Sequence, residues 1–193
     1  MMAFKDKFKE FQPLQVNDKF ILRQVNPEKD LEDYFEIYHD AKTFEQYGGT
    51  RSLNKDFIKE KERVLAILKN QINAFEKQRE YIWTITEIKT DKALGRIHFS
   101  NFDCNNRVAN IGYFINRNYW GQGIVSACIA PVVNFGFDYL EFERIATKVL
   151  PDNIGSWRAL EKNGFIREGL LRNCFENGNE LKDCYLYSKI YSD

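Results

Sequence analysis

The chain has 193 residues, 44% of them hydrophobic, enough for one domain (1–193, with 1–18 as an N-terminal extension) to close a complete core. Lys plus Arg and Asp plus Glu balance at 28 each, so no net positive field is available to hold a nucleic acid through its phosphates. No run of about 18 apolar residues occurs, and residues 1–10 alternate aromatic and charged side chains, which excludes a membrane partner and predicts a cytoplasmic protein.

In chain order, residues 20–24 read as a short strand. Pro27 and Asp30 mark a turn into a helix over Leu31–His39. Asn54 or Lys55 opens a longer helix, with Ile58, Leu65, Leu68, Ile72 and Phe75 at helical spacing and Lys and Glu on the solvated face. Residues 81–88, 93–102 and 108–115 are rich in β-branched and aromatic side chains, and turns at Asp91-Lys92 and Asn105-Asn106 divide them into an antiparallel meander. A helix over 122–139 follows, with Pro131 inside it, where a lost hydrogen bond predicts a kink. A strand over 144–150, a helix over 153–163 and a hairpin over 165–175 and 181–191, turning at Asn177-Gly178, complete the chain. The order predicts an α/β (α+β) fold: a mixed, mostly antiparallel sheet of about six or seven strands flanked by about four helices.

Cys104, Cys128, Cys174 and Cys184 lack C-x-x-C spacing, so reduced thiols are expected, although Cys174 and Cys184 can face each other across the hairpin. His39 and His98 have no ligand-spaced partner, and no metal site is expected.

The stretch Tyr119-Trp120-Gly121-Gln122-Gly123-Ile124-Val125-Ser126 is a strand-to-helix junction with two glycines and no acidic side chain. Glycines let a backbone approach a phosphate, and unpaired N–H groups at a helix N-terminus point at it. A plain tight turn has the same appearance, and the Lys-Ser/Thr of a nucleotide P-loop is missing. Ile111-Gly112-Tyr113 ends a strand just before the glycines, and Pro151-Asp152-Asn153-Ile154-Gly155-Ser156 opens the next helix, with Asn153 as its N-cap. Leu160-Glu161-Lys162-Asn163-Gly164-Phe165 closes that helix, Gly164 serving as a left-handed C-cap.

In this order and spacing the chain resembles the GNAT acetyltransferase superfamily, especially its branch of ribosomal-protein N-terminal acetyltransferases, the RimJ/RimL-like enzymes. The likeness runs from about Phe20 to Ile190 and takes in Glu36-Ile37-Tyr38 with Asp40, Glu168-Gly169-Leu170-Leu171-Arg172, Asn177-Gly178 and Asp183. The resemblance implies acetyl-CoA as acetyl donor, with its pantetheine arm in a V-shaped gap between the fourth and fifth strands. Tyr113, Phe114 and Ile115 would supply the edge of that gap. The amides of Gly121, Gln122, Gly123, Ile124, Val125 and Ser126, beside Trp120, would hold the pyrophosphate. Asn153 matches the pantetheine-contacting asparagine, and Ser156 falls near the sulfur. Trp120 replaces the superfamily's Gln or Arg, as in this branch, and Val125 stands where Gly or Ala is usual, which sets its bulk against close phosphate approach.

The chemistry needs a neutral amine and stabilisation of an oxyanion and a departing thiolate. The sheet-edge N–H near Ile115 suits the oxyanion. Many relatives place a glutamate base just before Ile-Gly-Tyr, and Asn110, which cannot take a proton, stands there instead. Asp103, His98, Asp183 and Tyr185 are the alternatives by strand position. Leu160 occupies the place of a tyrosine that protonates the thiolate in some members, which leaves Ser156 to donate to sulfur, with capping of its own helix as the competing role. An α-amine with a pKa near ~7.7–8.0 is roughly a tenth neutral at pH 7, against less than about a thousandth for a lysine amine, so the missing carboxylate favours a protein or peptide N-terminus as acceptor. A small amine such as an antibiotic or polyamine is the alternative, attracted by Glu36, Asp40, Glu45, Tyr47 and Asp183; a non-catalytic acyl-CoA-binding module is the other. Either a monomer or a homodimer is compatible with the sequence.

Overall fold

From residue 81 to 115 the chain alternates apolar side chains on both parities, and strands of that kind persist only when both faces of the sheet are covered. The computed structural model, which describes residues 4–45, 60–177 and 180–193, covers both. Eight strands, β1 (Leu14–Gln15), β2 (Phe20–Arg23), β3 (Tyr81–Glu87), β4 (Lys92–Asp103), β5 (Val108–Ile115), β6 (Arg144–Val149), β7 (Ile166–Asn177) and β8 (Glu180–Ile190), form one sheet in the order β1-β2-β3-β4-β5-β6-β8-β7. The two-residue β1 is the strand that the sequence reading did not anticipate.

Five α-helices are described: α1 (Leu31–His39), α2 (Ala41–Glu45), α3 (Lys61–Glu76), α4 (Ile124–Asn134) and α5 (Ile154–Lys162). The expected start of the long helix at Asn54 or Lys55, with Ile58, lies outside the described residues, as do Tyr47 and Gly178. Odd-numbered side chains of the meander, among them Tyr81, Trp83, Ile97, Phe99, Ile111 and Ile115, join Ile124, Cys128, Ile129 and Leu160 in the main core under α4 and α5. On the opposite face, Phe114 and Ala93 pack with Tyr34, Ile37, Tyr38, Val64 and Leu68 of α1 and α3.

Helix α4 stays α-helical past Pro131 to Asn134, and the irregularity comes one turn later as a π-helical stretch, Phe135–Tyr139, which buries Phe135 and Phe137. The N-terminal segment is sealed onto the core. Phe8 packs against Phe75 and Tyr81, the Gln12 N–H donates to Tyr81 Oη at 2.8 Å, and Trp83 Nε1 donates to the Gln12 carbonyl at 2.8 Å. The cysteines correct the expectation of four free thiols: Cys174 and Cys184 are disulfide-bonded across the β7–β8 hairpin, while Cys104 and Cys128 are free. No described helix is long and apolar enough to cross a membrane.

Candidate active site

Among the described residues, strands β5 and β6 are the only parallel neighbours, and they pair only from Val108↔Arg144 to Asn110↔Ala146. Beyond Asn110 they part. Residues 111–115 of β5 keep their ladder to β4 on one side and have no strand pairing to β6 on the other. A backbone edge of that kind must find hydrogen-bond partners or water, and an extended amide-bearing chain fits it as another strand would. The expected gap is therefore present, between β5 and β6 once β1 is counted, with Tyr113, Phe114 and Ile115 on its edge and Asn110 at its apex.

At the open end, Asn116 shapes the exit from β5. Its N–H donates to the Leu94 carbonyl at 2.7 Å, its Oδ1 accepts the Asn118 N–H at 2.9 Å, and its Nδ2 donates to Glu36 at 2.9 Å. The chain then makes a 3₁₀ turn, Arg117–Tyr119, and reaches Trp120, whose Nε1 donates to the Ile115 carbonyl at 2.9 Å. Gly121 and Gly123 follow at φ of +73° and +75°, the left-handed region that glycine adopts without strain. Nothing lies within 4 Å of where a Cβ would stand on either, so backbone conformation demands glycine there, not lack of room. The first helical bond runs from the Ala127 N–H to the Gly123 carbonyl at 3.0 Å, which leaves the amides of Ile124, Val125 and Ser126 ahead of it in the first turn of α4. Val125 is partly buried and packs against the main core. First-turn amides with no carboxylate beside them suit an anion.

Helix α5 brings the second half of the site across the sheet end. Asn153 is the N-cap, its Oδ1 accepting the Ser156 N–H at 3.2 Å. Because Asn153 caps α5, the Ser156 hydroxyl is released from that duty; Ser156 Oγ lies 2.9 Å from the Tyr113 hydroxyl. Burial pushes the Tyr113 phenol well up, so it keeps its proton at neutral pH. At the far end of α5, Gly164 at φ +79° donates to the Glu161 carbonyl and Phe165 to that of Leu160, with Phe165 buried beneath. Asn163 Nδ2 donates to the Ser126 carbonyl at 3.0 Å and ties this helix to the first turn of α4.

The other candidate proton acceptors separate. Asp103 is fully exposed and binds the Asn105 and Asn106 N–H groups of the β4–β5 turn, away from the gap. Asp183 Oδ1 accepts the Asn173 N–H at 2.9 Å and holds the bulge of β7. Tyr185 packs against the main core, with the Arg167 guanidinium over its ring. His98 is buried on β4 opposite Gly112. A groove of about 340 Å³ between α1 and the 3₁₀ turn is lined by Glu36, His39, Asp40, Asn116, Arg117 and Asn118. Its acids are compensated: Asp40 pairs with Arg117 at 2.9 Å, and Glu36 with Lys92 at 3.3 Å. Hydrogen bonding from Asn116 leads the influences that hold the Glu36 carboxyl below its usual range. Among the described residues no group of three or more His, Cys, Asp or Glu is placed to hold a metal.

The phenol of Tyr113, the side chain of Asn116 and the Asn163 tie escaped the sequence reading. Asn116-Arg117-Asn118 carries a detectable asparagine-turn signal. The other two contacts bridge residues 43 and 37 positions apart.

Residues 19–166 match the family model described as an acetyltransferase (GNAT) domain. The chain is 31% identical over 179 residues to an uncharacterized N-acetyltransferase, YoaA, of Bacillus subtilis (strain 168), an alignment covering 92% of this chain and 97% of that one. It is 31% identical over 120 residues to the ribosomal-protein-serine acetyltransferase of Escherichia coli (strain K12), covering 62% of this chain and 67% of that one. Among solved structures, RimL, a ribosomal L7/L12 alpha-N-protein acetyltransferase in complex with coenzyme A, is similar with a TM-score of 0.80 over 93% of this chain and 98% of that one, a likeness of fold at 18% identity.

Proposed function

The chain belongs to the GNAT acetyltransferase family and is an acetyl-CoA-dependent N-acetyltransferase, and from that premise we propose that its acceptor is the α-amine of a protein or peptide N-terminus. The observation that carries the proposal is the apex of the gap, where β5 and β6 part at an amide, Asn110, and not at a carboxylate. An amine that is already partly neutral at pH 7 needs less help from a base than a lysine-like one. The groove beside α1 supports the same choice, since Glu36 and Asp40 are matched by Lys92 and Arg117 and offer little net attraction to a polycation. Two relatives are named for ribosomal-protein substrates, one of them for an α-amine, which favours the cytoplasm as the place of action.

In this reading the main chain of Tyr113, Phe114 and Ile115 pairs with the pantetheine amides, and the amides from Gly121 to Ser126 hold the pyrophosphate. The Ile115 N–H is the proposed oxyanion donor. The Ser156 hydroxyl, positioned by Tyr113, donates to the sulfur as the thiolate departs. Asn153 fixes the turn that carries Ser156, and Asp183 shapes the hairpin that borders the acceptor side.

Incubation with acetyl-CoA and a peptide library varied at its first residue, with spermidine and kanamycin in parallel, is the test. Mass spectrometry is expected to find acetyl groups on peptide α-amines, at rates set by the first residue. Turnover of spermidine or kanamycin alone would assign a small-molecule acceptor instead, and coenzyme binding with no thiol release from any amine would leave only a binding module.

A further inference from the structure

Resting on the transferase reading above, we propose that His98 accepts the proton of the amine nucleophile, the part that Asn110 cannot play. His98 stands opposite Gly112, two residues past the point where β5 and β6 part. Its imidazole lies where a side chain on Gly112 would be: a Cβ there would come within 2.6 Å of His98 Cε1 and 2.9 Å of Nε2. The ring tip thus rests on the β5 main chain, whose far edge faces the gap. By strand alternation His98 shares the α1 and α3 face with Asn110, Gly112 and Phe114, while Tyr113 is on the α4 and α5 face with Ser156. His98 thus lies on the α1 side of β5, and the Ser156 hydroxyl lies on the opposite side of the same strand.

The ring is set up to receive a proton. It is 7% exposed, and Nδ1 is buried without a hydrogen-bond partner among the described residues. Leaving such a group unpaired costs about 1–3 kcal/mol, a cost that packing alone does not explain and a role in proton transfer does. Burial first, then the Arg96 guanidinium two residues along β4, holds the imidazole pKa well below 6.5 and keeps the ring neutral at pH 7. Across the sheet it is flanked by Ile82 on β3 and Gly112 on β5. The buried polar side chains of the helices over this face are Tyr34, Tyr38 and Gln71, all uncharged at that pH.

The step balances. The amine lone pair forms the C–N bond as the carbonyl π pair moves onto oxygen, and the new ammonium passes one proton to the imidazole. Collapse restores the carbonyl and breaks C–S. The sulfur leaves with the bonding pair and takes one proton from water, and the imidazolium later returns its proton to water.

The test compares the native protein with His98→Gln, and with Gly112→Ala as a second variant that displaces the ring without removing it. Calorimetry with acetyl-CoA and circular dichroism establish that each variant is folded and loaded, and thiol release is then followed with the peptide library and with spermidine. His98→Gln is expected to lower kcat about 100-fold with acetyl-CoA affinity unchanged. In the native protein the rate falls once as the acceptor amine protonates below about pH 8 and again, well below the ordinary histidine range, as His98 takes a proton; the second fall is absent from His98→Gln. A His98→Gln rate close to native, on whichever amine reacts, overturns the role of His98 and leaves the acceptor assignment standing. Reaction confined to spermidine overturns the acceptor assignment, and the same comparison on spermidine decides His98; a panel with no reaction overturns both. Where His98→Gln does not fold, an unchanged kcat in folded Gly112→Ala overturns the proposal.

Discussion

The Tyr113 hydroxyl and Ser156 Oγ, 2.9 Å apart, place a proton-bearing phenol behind the hydroxyl that the proposed mechanism aims at sulfur. Tyr113→Phe removes that oxygen and keeps the ring in the core. The lost hydrogen bond is worth about 0.5–1.5 kcal/mol. Since it acts on the orientation of Ser156 and not on the coenzyme, kcat is expected to fall about 2–10-fold with the KM for acetyl-CoA unchanged, in steady-state thiol-release assays; an unaltered kcat would remove Tyr113 from the pathway. Residue-scale features differ in how far they could be read in advance. Asn153 and Gly164 were legible because caps are local: Asn153 serves a backbone group three residues away, and Gly164 needs only its own φ of +79°. Tyr113 was legible as an edge residue and not as a phenol with a task, because its partner belongs to a helix that sequence alone does not place over β5.

Elements were legible wherever period decides them. The alternation of 81–115 marks β3, β4 and β5 to within a residue or two of their bounds, and it also assigns faces. It does not say where pairing stops, since both parities are apolar on either side of Asn110; the parting of β5 from β6 is a property of two strands and the helix between them. The π-helical stretch after Asn134 was likewise hidden, because its apolar spacing is indistinguishable from a continuing α-helix. What keeps the free edge of β5 straight is its other neighbour, and Gly95 is the close point: a Cβ there would stand 2.2 Å from the Phe114 carbonyl oxygen and 2.7 Å from Ile115 Cα. Those atoms are backbone and cannot swing aside. Gly95→Ala is expected to cost about 1–3 kcal/mol of stability, seen in urea unfolding. It should also weaken acetyl-CoA binding in calorimetry, because the residues pushed are those assigned to pantetheine; native affinity in a folded Gly95→Ala protein would argue that the coenzyme does not use this edge.

At the scale of the molecule, the first turn of α4 beyond the glycine loop and the aromatic cluster that begins at Phe4 belong to one core. Phe8 is 5% exposed and meets Phe4, Phe75, Tyr81 and Phe102 ring to ring. Tyr81 and Phe135 then connect this cluster to the end of α4, and Lys7 fastens the segment by donating to the Tyr139 carbonyl at 2.6 Å and pairing with Glu141 at 2.9 Å. A core shared in this way should melt as a unit, so far-UV dichroism and tryptophan fluorescence are expected to report a single coincident transition. Phe8→Ala opens a cavity far from the coenzyme edge and should cost about 3–5 kcal/mol. At roughly 2–4 °C per kcal/mol for a chain of this size, the melting temperature should drop by about 6–20 °C while the transition stays single. Below the new midpoint the affinity for acetyl-CoA should match the native value, because the variant changes how often the site exists and not its shape. Two separated transitions, or a midpoint that does not move, would show that the N-terminal segment folds apart from the sheet that carries the chemistry.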